Sequence, residues 1–185
     1  MIEGPLVNLR AIEDGDVELL HRWFNDREVT RFLSIPFPAF SLAEERAIVQ
    51  RQREGGEKQY AIVLKDGPMI GACSLRGFDP TARSCELAIA IGDKRYWGKG
   101  YGGAAVELLL RVAFDGLNQH RVWLTCIAFN ERGLRAYRRL GFREEGRLRD
   151  NRFIDGRYED TITMGMLEDE WRQRAQSQQH TEAEQ

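Results

Sequence analysis

No apolar run in this sequence approaches the ~20 residues that a membrane-spanning helix needs. The opening residues, Met1-Ile2-Glu3-Gly4-Pro5, lack the basic and apolar regions of a secretory signal. Neither charge is in excess: 27 Lys and Arg stand against 29 Asp and Glu, a formal net charge of −2, with the signs interleaved. A general nucleic-acid binder gathers basic residues on one face. No nucleic acid and no membrane is therefore expected as a partner. Cysteine is scarce and odd in number: Cys73, Cys85 and Cys126, each in an apolar stretch. That excludes a disulfide framework and, without a C-x-x-C pair, leaves a zinc site no support; no metal is expected. The three histidines, His21, His120 and His180, do not cluster. These absences point to a cytoplasmic protein in a reducing compartment.

What is present suits one soluble domain. The 185 residues are 42% hydrophobic, enough to bury a core without staples. Residues 1–171 read as that domain, and the polar stretch 172–185 as an unstructured tail. Leu6 to Ile12 reads as a strand. Asp14 offers an N-cap, with Val17, Leu20 and Phe24 following at helical spacing. Val29 to Phe40, with Pro36 and Pro38, reads as a loop with at most a short helix. Ser41-Leu42-Ala43-Glu44 matches a capping box and starts a second helix, which Gly55-Gly56 stops. Three strands follow: Tyr60 to Leu64, Met69 to Leu75 after an Asp66-Gly67 turn, and Cys85 to Ile91. The last is apolar on both faces except for Glu86, the pattern of a central strand. After a glycine-rich loop, Ala105, Leu108, Leu109, Val112 and Ala113 form a helical stripe. Arg121 to Phe129 is a strand, Glu131 to Leu140 a helix with Gly141 at its C-cap, and Phe142 to Ile154 and Arg157 to Leu167 a final hairpin. The order gives an α/β fold with a mixed, mostly antiparallel sheet flanked by helices.

The loop from Arg95 to Gly103 lies between the buried strand and the amphipathic helix. Gly98, Gly100 and Gly102 let the backbone turn tightly and approach a ligand. The free N–H groups of the helix that follows favour an anion, and Arg95 and Lys99 add charge. The pattern suits a phosphate or pyrophosphate. It is not a Walker A sequence, and the antiparallel run upstream denies a dinucleotide-binding Rossmann unit.

Arg95-Tyr96-Trp97-Gly98-Lys99-Gly100 resembles the Q/R-x-x-G-x-G/A signature of the GNAT acetyltransferase superfamily. Asn130 to Tyr137, ending in Leu140-Gly141-Phe142, resembles its second hallmark, N-x-x-[AS]-x-x-x-Y with a following G-F; the small residue here is Gly133. Asp16, Leu20, Trp23, Asp26 and Val29, with Glu145-Gly146-x-Leu148-Arg149, Gly156, Asp160 and Met164, resemble the subgroup containing ribosomal-protein N-terminal and spermidine acetyltransferases. The resemblance runs from about Leu6 to Trp171 and implies central strands that splay apart. It implies acetyl-CoA as co-substrate, with Ile89 and Ile91 offering backbone groups to pantetheine. Arg95, Trp97, Gly98, Lys99, Gly100, Tyr101, Gly102 and Gly103 would hold the pyrophosphate. It further implies that Asn130 bonds the pantetheine arm, although Asn is equally a favoured N-cap. Tyr137 would be the general acid facing the CoA sulfur.

Amine acetylation also needs the incoming amine to lose a proton. Glu86 has the chemistry for that, and a carboxylate in a central strand needs a task or a partner; a salt bridge to an arginine such as Arg83 is the other reading. Of the aromatic group Trp23, Phe24, Phe32, Phe37 and Phe40, Phe24 reads as core, while Trp23 and Phe32 suit a wall of the acceptor pocket. Asp26 either attracts a cationic amine or caps a helix. The cysteines read as small core residues, not as nucleophiles. The resulting expectation is an N-acetyltransferase acting on a primary amine by direct attack in a ternary complex. A non-catalytic acyl-CoA sensor and a transferase of a longer acyl group stay open, as does the acceptor, a small amine or a protein N-terminus. A homodimer is left open too.

Overall fold

The computed structural model describes residues 1–33 and 39–183, with side chains up to residue 176. The elements in chain order are β1 (Val7–Ala11), α1 (Val17–Phe24), α2 (Arg27–Thr30), α3 (Leu42–Glu54), β2 (Lys58–Leu64), β3 (Met69–Asp79), β4 (Ser84–Ile91), α4 (Tyr101–Arg111), β5 (Arg121–Ile127), α5 (Glu131–Leu140), β6 (Arg143–Ile154), β7 (Arg157–Leu167) and α6 (Glu168–Ala183). The seven strands form one sheet in the order β1-β2-β3-β4-β5-β7-β6. Every pairing is antiparallel except that of β4 with β5. The fold is thus the mixed, mostly antiparallel sheet that the sequence predicts.

Each face of the sheet carries its own core. Strand residues such as Leu75, Leu87, Leu124 and Met164 pack with Leu108 and Leu109 of α4 and Leu134 of α5. On the opposite face Ala61, Val63 and Met69 pack with Leu20 and Trp23 of α1 and Val49 of α3. Alternation along β4 serves both: Cys85 and Leu87 belong to the first core, whereas Ala88 and Ala90 line a cavity beside α1 and α3.

Local signals explain most boundaries. The Ser41 hydroxyl accepts the Glu44 N–H at 3.2 Å, and the Glu44 carboxylate accepts the Ser41 N–H at 2.7 Å, so the capping box at the start of α3 is formed. Gly141 ends α5 at φ 100, a conformation glycine adopts without strain. The start of α1 differs from the sequence reading. Asp14 opens a short 3₁₀ turn instead of capping α1, and Asp16 reaches back, accepting the Glu13 N–H at 2.8 Å and two bonds from Arg10 at 2.6 and 2.8 Å.

At the far end of the chain α6 runs from Glu168 to Ala183, and contacts anchor its first turns. Trp171 stacks on Phe114 at 5.8 Å and donates to Asp115 at 3.1 Å, and Arg174 reaches Glu107 at 2.9 Å. Within Val29 to Phe40 the short helix is α2, which ends at Thr30; Pro36, Phe37 and Pro38 lie outside the described residues. Among the described residues no helix is long and apolar enough to cross a membrane.

Candidate active site

The parallel pair at the centre of the sheet is incomplete. β4 meets β5 only at Ser84–Arg121, Cys85–Val122 and Glu86–Trp123. Beyond Glu86 the two strands diverge, while β3 stays paired with β4 as far as Ile91 and β7 with β5 as far as Ile127. Backbone polar groups on the facing edges of the split have no strand partner. Such groups need one when buried, and an extended amide chain would supply it.

A cavity of about 560 Å³ occupies the split and runs to the start of α4. It is lined by Glu86, Ile89 and Ile91 from β4, Trp97, Gly98, Gly100, Gly102 and Gly103 from the loop, and Asn130 and Tyr137 from α5, with Phe32 at its edge. Residues distant in sequence, read separately, thus meet on one volume.

The glycine loop has left-handed backbone at Gly98 (φ 73) and Gly100 (φ 87). A Cβ placed at Gly98 or Gly103 would meet no protein atom within 4 Å. Packing therefore does not explain the missing side chains, and the cleared space faces the first N–H groups of α4, where an anion is favoured. On α5, Arg132, Arg135 and Arg139 line the same cavity, spaced to share one helical face. The Arg132 guanidinium lies 4.5 Å from the Trp97 ring centroid. These arginines escaped the sequence reading; their i, i+3, i+7 spacing was the available signal. An open strand edge, a glycine-cleared helix N-terminus and a basic rim fit a long molecule that carries amides at one end and phosphates at the other.

Asn130 caps α5 and also lines the cavity. Its Oδ1 accepts the Gly133 N–H at 3.1 Å as the N-cap of α5, and the side chain still faces the cavity. Gly133 in place of Ala or Ser matters here, since a Cβ there would come within 2.7 Å of the Asn130 amide nitrogen. Tyr137 is half-buried, edge-on to Phe142 at 5.9 Å. Burial, and next the Cys126 thiol, push its pKa up, so the phenol keeps its proton across the working range.

Glu86 has a partner, though not Arg83. Arg76 on β3 grips it bidentately at 3.0 and 2.8 Å, and both side chains line the cavity. Arg83 instead pairs with Glu168 at 2.8 Å. Ile91 is less free than expected, because its carbonyl accepts the Trp97 indole N–H at 2.6 Å.

Five expected site residues do not line the cavity. Arg95 turns to Asp93 at 2.6 Å. Lys99 stands over Tyr96, and Tyr101 is edge-on to the same ring, each at 5.8 Å. Trp23 is 8% exposed and packs on Gly92, where any Cβ would collide with its ring, so it is a core residue rather than a pocket wall. Asp26 caps α2, accepting the Glu28 N–H at 2.9 Å, and pairs with Lys94 at 2.8 Å. The hydrogen bond from Lys94 holds the Asp26 carboxyl below the usual range. Phe32, by contrast, faces the cavity between Trp97 and Phe129, 5.8 and 5.7 Å from their ring centroids.

A sheet split beside a glycine-cleared helix N-terminus defines a CoA-dependent acyltransferase. Residues 7–143 match the acetyltransferase (GNAT) domain family, and the chain belongs to it. It is 28% identical over 171 residues to a spermidine N(1)-acetyltransferase of Vibrio cholerae serotype O1, covering 92% of this chain and 98% of that one. To the Escherichia coli K12 spermidine N(1)-acetyltransferase it is 29% identical, covering 89% of this chain and 88% of that one. A candidate ribosomal N-acetyltransferase of Bacillus subtilis, YdaF, is 34% identical over 59% of either chain. The crystal structure of the Vibrio cholerae spermidine N-acetyltransferase in complex with CoA and spermine superposes with a TM-score of 0.84 at 28% identity, over 89% of this chain and 97% of that one. The protein is an acetyl-CoA-dependent N-acetyltransferase.

Proposed function

We propose that the acceptor is the primary amine of a small cationic alkylamine of the polyamine class, acetylated by direct attack while both substrates are bound. The observation that carries this reading is the meeting of two cavities at β4. Ala88, Ile89 and Ala90 line both the cavity of the split and a second, largely apolar one of about 290 Å³ beside α1 and α3. One side accommodates the acyl donor, and the other offers a methylene chain an apolar wall. The spermidine acetyltransferases among the relatives support the same class.

In this reading Gly98, Gly100, Gly102 and Gly103 receive the pyrophosphate on backbone N–H groups, aided by Arg132. Ile89 and Asn130 receive the pantetheine amides. Glu86, held in orientation by Arg76, attracts the ammonium and takes its proton through a water. The neutral nitrogen attacks the thioester carbonyl, the C–S bond breaks as the Tyr137 hydroxyl gives its proton to the departing sulfur, and the nitrogen sheds its second proton to water, from which Tyr137 is reprotonated. Phe32 excludes water from the split.

The test is initial-rate kinetics on spermidine, n-butylamine and a short peptide with a free N-terminus, followed by release of the CoA thiol. Spermidine should have the highest kcat/KM. Preference for the peptide would sink the polyamine reading.

A further inference from the structure

The second cavity holds an anomaly. Its wall includes Leu20, Phe24, Ile48 and Val49, yet a carboxylate stands among them. Glu45 on α3 is 2% exposed. Among the described residues no side chain makes a hydrogen bond or salt bridge to it. His21, whose charge it would feel most, has its Nε2–H on the Phe40 carbonyl at 2.7 Å. Burying an ionised carboxylate without a partner is among the costliest things a fold can do. Burial accordingly pushes its pKa up. Among the described residues nothing local needs an acid there. Glu44 next to it forms the capping box, and Val49 one turn on shares the buried face.

A second unfilled acceptor faces the same space. Gln59 on β2 lines the cavity and donates from its amide nitrogen to Gln52, while its Oε1 is buried with no partner. Two acceptors without donors among the described residues, in a largely apolar cavity, define the complement of a group that has donors only. An ammonium carries three N–H bonds and no acceptor.

Resting on the polyamine reading above, we propose that Glu45 and the Gln59 carbonyl bind the distal ammonium of a di- or polyamine whose reacting nitrogen lies at β4 beside Glu86. The methylenes between the two nitrogens lie along Leu20, Phe24 and Val49. The site then selects diamines over monoamines of equal length. A monoamine leaves Glu45 and Gln59 unpaired, and unmet buried polar groups discriminate strongly. The bound ammonium also keeps Glu45 ionised.

The experiment compares kcat/KM for 1,4-diaminobutane and n-butylamine, at saturating acetyl-CoA, in the natural protein, Glu45→Gln and Gln59→Met. Glu45→Gln should lower the diamine-to-monoamine ratio at least tenfold, mainly through a higher KM for the diamine. Gln59→Met should lower it less. Glu45→Gln removes a desolvated charge, so its Tm should not fall; should it nonetheless fail to fold, Gln59→Met still decides. A ratio that stays put, or an equal loss for both amines, would overturn the anchor. If the natural protein acetylates neither 1,4-diaminobutane nor spermidine, the polyamine reading fails first and takes this one with it. Turnover of the diamine with an unmoved ratio in both variants overturns the anchor alone.

Discussion

At the residue scale the chemistry hangs on where protons sit. In the mechanism proposed above Tyr137 is the proton donor, a role supported by its place on the cavity wall and by burial that raises its pKa. A phenol in that state donates a hydrogen bond to a developing thiolate without being ionised at neutral pH. Tyr137→Phe keeps the ring that packs edge-on to Phe142 and removes only the hydroxyl. We expect kcat to fall by roughly ten- to a thousandfold, as for loss of a general acid, with the Kd for CoA nearly unchanged. An unaltered kcat would make Tyr137 a packing residue. Glu86 illustrates the other half of residue-scale reading. A lone charge in an apolar strand announces a partner or a task, and the structure gives it both a partner in Arg76 and a wall of the cavity. The sequence could not choose between arginines, because the antiparallel register that sets Arg76 beside Glu86 is a property of the paired strands.

At the element scale the glycine loop and the first turn of α4 bind or fail together. Gly100 is a poor probe of this, since its φ of 87 makes any substitution strained as well as obstructive. Gly103 separates the two effects. It lies inside α4, its φ is not in the left-handed region, and a Cβ there meets nothing within 4 Å. In a helix, Gly→Ala stabilises by about 0.5–1 kcal/mol. Gly103→Ala should therefore raise Tm slightly while the new methyl, standing in the phosphate space, weakens CoA binding by about tenfold or more in a calorimetric titration. Unchanged affinity with a raised Tm would remove Gly103 from the cradle. Elements such as α3, with its capping box and Gly55 stop, were legible because their signals are local. The start of α6 was not. Trp171 anchors it by stacking on Phe114, a residue far away in sequence, a contact that only the fold supplies. Of the two readings of Asp26 the fold forms the helix cap, and Trp23 packs into the core. Each has the chemistry of a site residue, and each is consumed by a neighbour that only the fold supplies, Gly92 for one and Lys94 for the other.

At the scale of the whole molecule the question is whether the acetyl group ever rests on the protein. A relay would need a nucleophile, and thiols are the natural candidates. All three are buried and free. Burial raises each pKa, to about 12 for Cys85 and Cys126 and higher still for Cys73, so the reactive thiolate is negligible at neutral pH. Of the three, Cys126 alone lines the cavity of the split, and there burial outweighs the opposing pull of the Asn130 hydrogen bond and the Arg138 charge. The architecture meanwhile makes a relay unnecessary. On the proposed reading the cavities of donor and acceptor share Ala88, Ile89 and Ala90, which lets an amine and a thioester occupy the protein together and meet at β4. Holding two reactants in one geometry itself lowers the barrier by removing the entropy of encounter. Initial rates measured against both substrates should therefore give intersecting double-reciprocal lines. Mass spectrometry after incubation with acetyl-CoA alone should find no adduct on Cys73, Cys85 or Cys126. Parallel lines, or an acetyl-Cys126 that forms and decays as fast as turnover, would mean that the split sheet serves a covalent relay instead of a direct transfer.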